Sequence, residues 1–302
     1  MMELSDLRVF LAVIEAGGVT RAAARLHRVQ SNVTARIRKL EDSVGQPLFR
    51  RAGRRLALTP AGEQLQDYAR RLLALAAEAQ DALQDAAPRG LLRLGAMEST
   101  AAVRLPGPLA EFHRRHPAVQ VELSTGSPRD MLGRIAAGAL DAALMTEAFA
   151  GDEAAGAALA RMATLPLFTE ELVLVTAASH PPVRRPADLR QRSLLVFHPG
   201  CPYRQRLETW LATGGVPAER LVELGSYHVA LGCVAAGMGV ALMPRSVLAG
   251  VSESGVRLHR LPPPFRSATT LLVWRHDQPQ AKVRALAAVL EESAGKRKGR
   301  AG

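Results

Sequence analysis

At Pro88 the hydrophobic period changes, and that switch constrains the chain more than any other feature. Before it, apolar residues recur at three- and four-residue steps; after it, short apolar runs alternate with helical ones. A chain of 302 residues with this break needs more than one core. Its 48% hydrophobic content is ample for burial, and with aromatics at 4% the cores must be aliphatic.

The first stretch holds three helical patterns. Leu4, Leu7, Phe10, Leu11 and Ile14 form a stripe that Gly17 and Gly18 stop. Ala22, Ala23, Ala24 and Leu26 follow as a small-residue helix that lets a neighbour approach closely. Val33, Ile37, Leu40 and Val44 make a third stripe, ended by Gly45, with Gln30, Ser31, Thr34, Arg36, Arg38 and Lys39 off it. This order predicts a helix-turn-helix whose third helix enters a major groove. Gln30, Ser31 and Asn32 at its start reach base edges. Thr20 and Arg21 open the second helix. Arg50, Arg51, Arg54 and Arg55 flank Ala52 and Gly53 as a β-hairpin wing facing the phosphate backbone.

Charge agrees with this. Residues 1–60 carry 11 Lys and Arg against 5 Asp and Glu, and the tail KRKGR adds four more cations. The rest is close to neutral, although the whole chain is +11. A basic head on a neutral body implies a polyanionic partner, double-stranded DNA.

Thr59 is placed to cap a helix opened by Pro60. Leu65, Tyr68, Leu72, Leu75, Ala79 and Leu83 give it one apolar seam up to Pro88. At about 40 Å, such a helix needs a partner, and a second copy is expected.

From Leu91 onward, runs such as LLRLGAM, VQVELSTG, DAALMT and VALMP alternate with helical segments, which predicts an α/β fold with largely parallel sheets. A final helix is expected at 280–292. Ligand-binding residues in such folds sit in loops after strand ends. The candidates are Glu98, Ser99 and Thr100; Thr125, Gly126 and Ser127; Cys201, Tyr203 and Arg204; and Tyr227 and His228. Hydroxyls at helix starts together with Arg204 suggest a small carboxylate ligand. The plainer alternative makes the hydroxyls ordinary caps and Cys201 and Cys233 small buried hydrophobes.

The stretches LRVFLAVIEAGGVTRAAARLH, QSNVTARIRKLEDSVGQPLFRR and LALTPAG, in this order and without a gap, resemble the DNA-binding domain of LysR-type transcriptional regulators. Val29 and Ala35 stand where many relatives carry Ser and Arg, which moves the expected capping of the third helix to Ser31. The resemblance implies a winged helix-turn-helix at 1–60, a linker and dimerisation helix at 61–88 and an effector-binding domain at 89–295, with a basic tail at 296–302. That domain is expected to resemble a periplasmic binding protein. One lobe would comprise about 89–165 and 267–295 and the other about 166–266, with crossings near 165–169 and 262–267. Implied partners are double-stranded DNA, a small-molecule effector, RNA polymerase, and further copies in a homodimer or homotetramer.

An enzyme using Cys201 with His198 or His228, and a solute carrier, are the competing classes. No third orienting group, metal motif or nucleotide motif supports an enzyme, so neither catalysis nor a cofactor nor a metal is expected. Nor does a signal peptide or a 20-residue apolar run support a carrier or a membrane partner, and a cytoplasmic location is expected.

Overall fold

The computed structural model describes residues 2–52, 55–83, 87–148, 153–249, 255–276 and 281–298. The chain divides into two compact units, Met1–Ala86 with Ala136–Ala139 and Ala87–Ile135 with Leu140–Gly302.

In the first unit, α1 (Leu4–Ala16), α2 (Val19–Arg25) and α3 (Gln30–Val44) are followed by the antiparallel strands β1 (Phe49–Ala52) and β2 (Arg55–Leu58) and by α4 (Pro60–Leu83). Leu7, Phe10 and Val13 of α1 pack on Ala22 and Ala23 of α2 and on Val33, Ile37 and Leu40 of α3. Helix α1 ends where Gly17 turns left-handed, and α3 where Gly45 does the same. The start of α3 differs from expectation. Val29, not Ser31, holds the N-cap position and supplies no side-chain cap bond.

The sequence TPAG docks α4 against the wing. Thr59 Oγ1 accepts the Gly62 N–H at 3.0 Å and donates to the Pro47 carbonyl at 2.7 Å. Gly62 is needed for contact: a Cβ there would lie 2.2 Å from the Leu48 carbonyl oxygen. The seam expected on α4 divides. Leu65 and Leu72 turn with Ala61 and buried Ala69 into the helix-turn-helix core, whereas Tyr68 and Leu75 stay 50% and 57% exposed.

The second unit runs β3 (Gly90–Ala96), α5 (Glu98–Val103), α6 (Pro106–Arg115), β4 (Val119–Thr125), α7 (Pro128–Ala136), β5 (Ala142–Thr146), α8 (Glu153–Leu159) and β6 (Met162–Ala177). It continues with β7 (Ser193–Val196), α9 (Pro202–Thr213), β8 (Arg220–Glu223), α10 (Tyr227–Ala235), β9 (Ala241–Pro244), β10 (Val256–Arg260), β11 (Ser267–Arg275) and α11 (Ala281–Lys298).

Strand β3 pairs parallel with β4 and β5, and β7 pairs parallel with β8. The expectation of largely parallel sheets needs correction at the centre, where β11 runs antiparallel to both β5 and β6, and β9 and β10 run antiparallel to β6. The reason is chain path. Strand β6 is one 16-residue strand serving both lobes, so the returning β11 meets it head to tail. Its pairing changes from β11 to β9 between Glu171 and Leu172, a little beyond the 165–169 read from sequence. The return falls between β10 and β11.

Val283, Leu286, Val289 and Leu290 of α11 are buried against the first lobe's sheet. This helix passes the expected end at 292 and reaches Lys298, so the first three residues of the expected tail, 296–298, are helical. Ser293 and Gly295 are weak helix formers but do not break the helix as a proline would. Residues 299–302 lie outside the described residues.

Candidate nucleic-acid interface and ligand cleft

The buried stripe of α3 fixes which of its residues face outward. Gln30, Ser31, Asn32 and Arg38 are exposed and belong to one helix, and Thr20 and Arg21 are exposed at the start of α2. Local bonds already shape this face. Arg28 Nη1 donates to Asn32 Oδ1 at 3.2 Å, Thr34 Oγ1 to the Gln30 carbonyl at 3.0 Å, and Arg21 Nη2 to the Gly17 carbonyl at 2.7 Å. Arg28 was absent from the sequence reading; its place one residue before Val29, beside Asn32, is what identifies it.

Two cations expected to face DNA turn instead toward α1. Arg36 Nη1 lies 2.7 Å from Asp6 Oδ1 and 2.9 Å from Ser5 Oγ, and Lys39 Nζ lies 2.5 Å from Glu3 Oε1. Arg36 is half-buried, and Asp6 is only 1% exposed. Pulling the guanidinium away would leave the buried Asp6 carboxylate without its main compensating charge. Lys39 remains exposed. Its contact with Glu3 lowers the pKa of that carboxyl, first through the hydrogen bond and then through charge. In the wing, Arg50 is exposed and its Nε donates to the Leu58 carbonyl at 3.2 Å. Arg51 and Arg55 lie on the two strands, and Arg54 lies outside the described residues.

In the second unit, four strand-to-helix loops surround a cavity of about 400 Å³. They follow β3, β4, β7 and β8, each at the C-terminal end of a parallel strand. Six of the expected residues line it: Glu98, Thr125, Gly126, Ser127, Cys201 and Tyr227. Its wall also includes Met97, Phe197, His198, Glu223, Leu224 and Gly225. Glu223 and Phe197 went unnamed in the sequence reading, although both stand at strand ends and obey the same rule. The start of α7 is organised by Ser127, whose Oγ accepts the Asp130 N–H at 3.1 Å. The Tyr227 ring packs 4.3 Å from Phe197.

Five expected ligand residues are not in the wall. Ser99 and Thr100 are buried on the first turn of α5, pointing into protein rather than cavity. Tyr203 is buried, with Ser99 beside its hydroxyl. His228 is exposed one residue beyond Tyr227. Arg204 is engaged elsewhere: its Nε donates to Glu208 at 2.9 Å, its Nη1 donates to the Phe197 carbonyl at 3.2 Å, and Glu223 lies at 3.6 Å. The carboxylate expectation therefore loses its cation, because an i,i+4 neighbour on α9 already holds it.

Burial raises the pKa of the Glu98 carboxyl, opposed by nearby His228 and by the Tyr227 backbone N–H. Burial likewise pushes the Cys201 thiol up, against the N–H groups of Arg204 and Tyr203. A thiol so held is protonated and a poor nucleophile. Among the described residues, no three His, Cys, Asp or Glu side chains come together as metal ligands. None of the described helices is long and apolar enough to cross a membrane.

A winged helix-turn-helix joined to a two-lobed α/β unit with a cleft defines a DNA-binding regulator with a ligand-sensing domain. Comparison with known proteins agrees. Residues 4–63 match the bacterial regulatory helix-turn-helix protein, lysR family, and residues 85–295 match the LysR substrate binding domain. The HTH-type transcriptional regulator YusT of Bacillus subtilis is 40% identical over 278 residues, 91% of this chain and 90% of that one. In fold, the chain is similar to a full-length OxyR variant of Pseudomonas aeruginosa, with TM-score 0.75 and 24% identity over 97% of this chain and 95% of that one. Full-length CbnR complexed with its target DNA gives 0.65 and 22% over 97% and 100%. The chain belongs to the LysR family of DNA-binding transcriptional regulators; its relatives are regulators and not enzymes.

Proposed function

We propose that this regulator reads one DNA sequence with α3 and is switched by a small carboxylate metabolite held in the cleft of its effector-binding domain. Residues 1–60 are the reading head, 61–88 the dimerisation helix and 89–295 the sensor. The DNA contacts come from Thr20, Gln30, Ser31, Asn32, Thr34 and Arg38, with Arg50, Arg51, Arg54 and Arg55 on the backbone. Arg21, Arg36 and Lys39 also belong to this set, each now sharing its charge with α1 or its C-cap. Glu98, Thr125, Gly126, Ser127, Cys201 and Tyr227 hold the effector. The carrying observation is the cavity of about 400 Å³, within the size range of small-metabolite sites, onto which the starts of α7, α9 and α10 open. Helix starts favour a carboxylate even without a cation.

The exposed Tyr68 and Leu75 on α4 support pairing with a second copy, and pairs of dimers would give the homotetramer. Effector binding favours one lobe arrangement and so re-aims paired reading heads, with RNA polymerase as the partner that responds. The cytoplasm is where such a protein meets its DNA.

The test is duplex binding across a salt series, comparing DNA upstream of the protein's own gene with a scrambled duplex. Specific binding should exceed nonspecific binding by roughly 10³ or more and fall steeply with salt. Equal weak binding to both duplexes overturns the sequence-reading role. A calorimetric screen that finds only uncharged or purely cationic ligands overturns the carboxylate.

A further inference from the structure

We propose that the effector carries an organic ammonium group as well as its carboxylate, and that Glu98 is the residue that selects for it. This rests on the reading above that the cleft is the effector site, and it names the class of effector: a zwitterion of amino-acid size.

Charge in the wall leads to this conclusion. The formally charged side chains lining the cavity are Glu98 and Glu223, with no lysine or arginine among the lining residues. Arg204 already pairs with Glu208 and approaches Glu223 from outside the wall. A ligand with only negative charge would enter beside two carboxylates, and at contact distance that repulsion weakens binding tenfold or more. One end of the cleft nonetheless suits an anion, since Thr125 and Ser127 stand at the start of α7.

Glu98 also shows an unmet need. Its Oε2 is buried and has no hydrogen-bond partner, while the Tyr227 N–H at the start of α10 faces the same carboxyl. Buried carboxylate oxygens are rarely left without a donor, and an ammonium brings three. The neighbouring Tyr227 and Phe197 rings offer apolar and π surface to a cation's flanks. A metal ion is the other cation to consider, but no three ligating side chains converge among the described residues.

The inference is tested on the full chain by calorimetry with three matched probe sets: the L-amino acids, their deaminated acids and their decarboxylated amines. The expected result is an amino acid that binds at least tenfold more tightly than its deaminated twin. Glu98→Gln should then remove at least tenfold of that affinity while strengthening the binding of the deaminated twin, since one of the two repelling carboxylates is gone. If deaminated acids bind as well as or better than their amino acids, the ammonium is refuted and the carboxylate reading survives. If amines bind best and the carboxylate adds nothing, the ammonium stands and the carboxylate falls. If no member of any set binds, both are refuted. Thermal unfolding without ligand reports whether Glu98→Gln is folded; should it not be, the wild-type comparison of twins decides the matter alone.

Discussion

Arg36 Nη1 lies 2.7 Å from Oδ1 of Asp6, joining the recognition helix to the first helix through a carboxylate with almost no solvent contact. The pair ties α3 to α1, so Arg36 holds the recognition helix in place as well as belonging to the proposed DNA-contact set. Arg36→Ala should therefore lower stability by roughly 2–3 kcal/mol, since it leaves Asp6 buried with less compensation. Arg38 is exposed and makes no such tie among the described residues, so Arg38→Ala should leave the melting temperature within a degree or two. It should instead weaken DNA binding and reduce the salt slope by about one. Denaturant unfolding and a salt series on the two variants separate the roles. Equal stability losses would reject the distinction.

Gly62 is a contact glycine. Because a Cβ would come 2.2 Å from the Leu48 carbonyl oxygen, Gly62→Ala must push α4 away from the wing. Helix propensity alone would favour alanine. Overpacking should win, with a net loss of about 2 kcal/mol in thermal or urea unfolding. A stabilised variant would show that the contact relaxes freely.

Arg104 and Glu170 form a two-armed pair at 2.6 and 2.8 Å where β6 passes from one lobe to the other. Ser246, in the turn after β9, donates to the same carboxylate at 2.8 Å, and the Arg104 guanidinium lies 4.9 Å from the centre of the Phe168 ring. Removing either charge strands the other in a nearly dry place. Glu170→Gln and Arg104→Met should each cost about 3 kcal/mol, and the double variant should be no worse than either single one. Urea unfolding of the cycle checks this; additive losses would mean the two side chains are not coupled.

His259 gives the second unit a pH response. Its Nδ1 accepts the Val183 N–H at 3.1 Å, and its Nε2 lies 2.9 Å from Thr176 Oγ1. Burial, then His180 and Arg257, lowers its pKa from the usual 6.5 to about 4. Between those values the unfolded chain binds the proton and the folded chain does not. Stability should be full above pH 6.5 and decline as pH falls toward 4. The decline should be shallower in His259→Asn, as measured by melting temperature against pH. Parallel curves for the two proteins would remove His259 from the account.

Much of the reading head was legible in the sequence because it rests on local geometry. Val33, Ile37 and Leu40 are buried as their spacing requires, and Gly17 and Gly45 stop their helices by adopting the left-handed conformation. The cleft was legible only as a set of loops. Within the first turn of α5, Glu98 lines the cavity while Ser99 and Thr100 are buried, and a single residue's rotation around the helix decides which. The engagement of Arg204 was visible in principle, since Glu208 follows it by four residues.

Sequence by itself determined the elements, the wing, the Thr59 cap and the basic surface of α3, because hydrophobic period and turn chemistry act over a few residues. Tertiary structure alone decided which cations are left for DNA, which strand ends form the cleft wall and how β11 returns beside β6. Asp6 and Arg36 are 30 positions apart, and Arg104 and Glu170 are 66 apart. Contacts at such separations depend on the path of the whole chain, and no local pattern encodes which buried carboxylate a given arginine will meet.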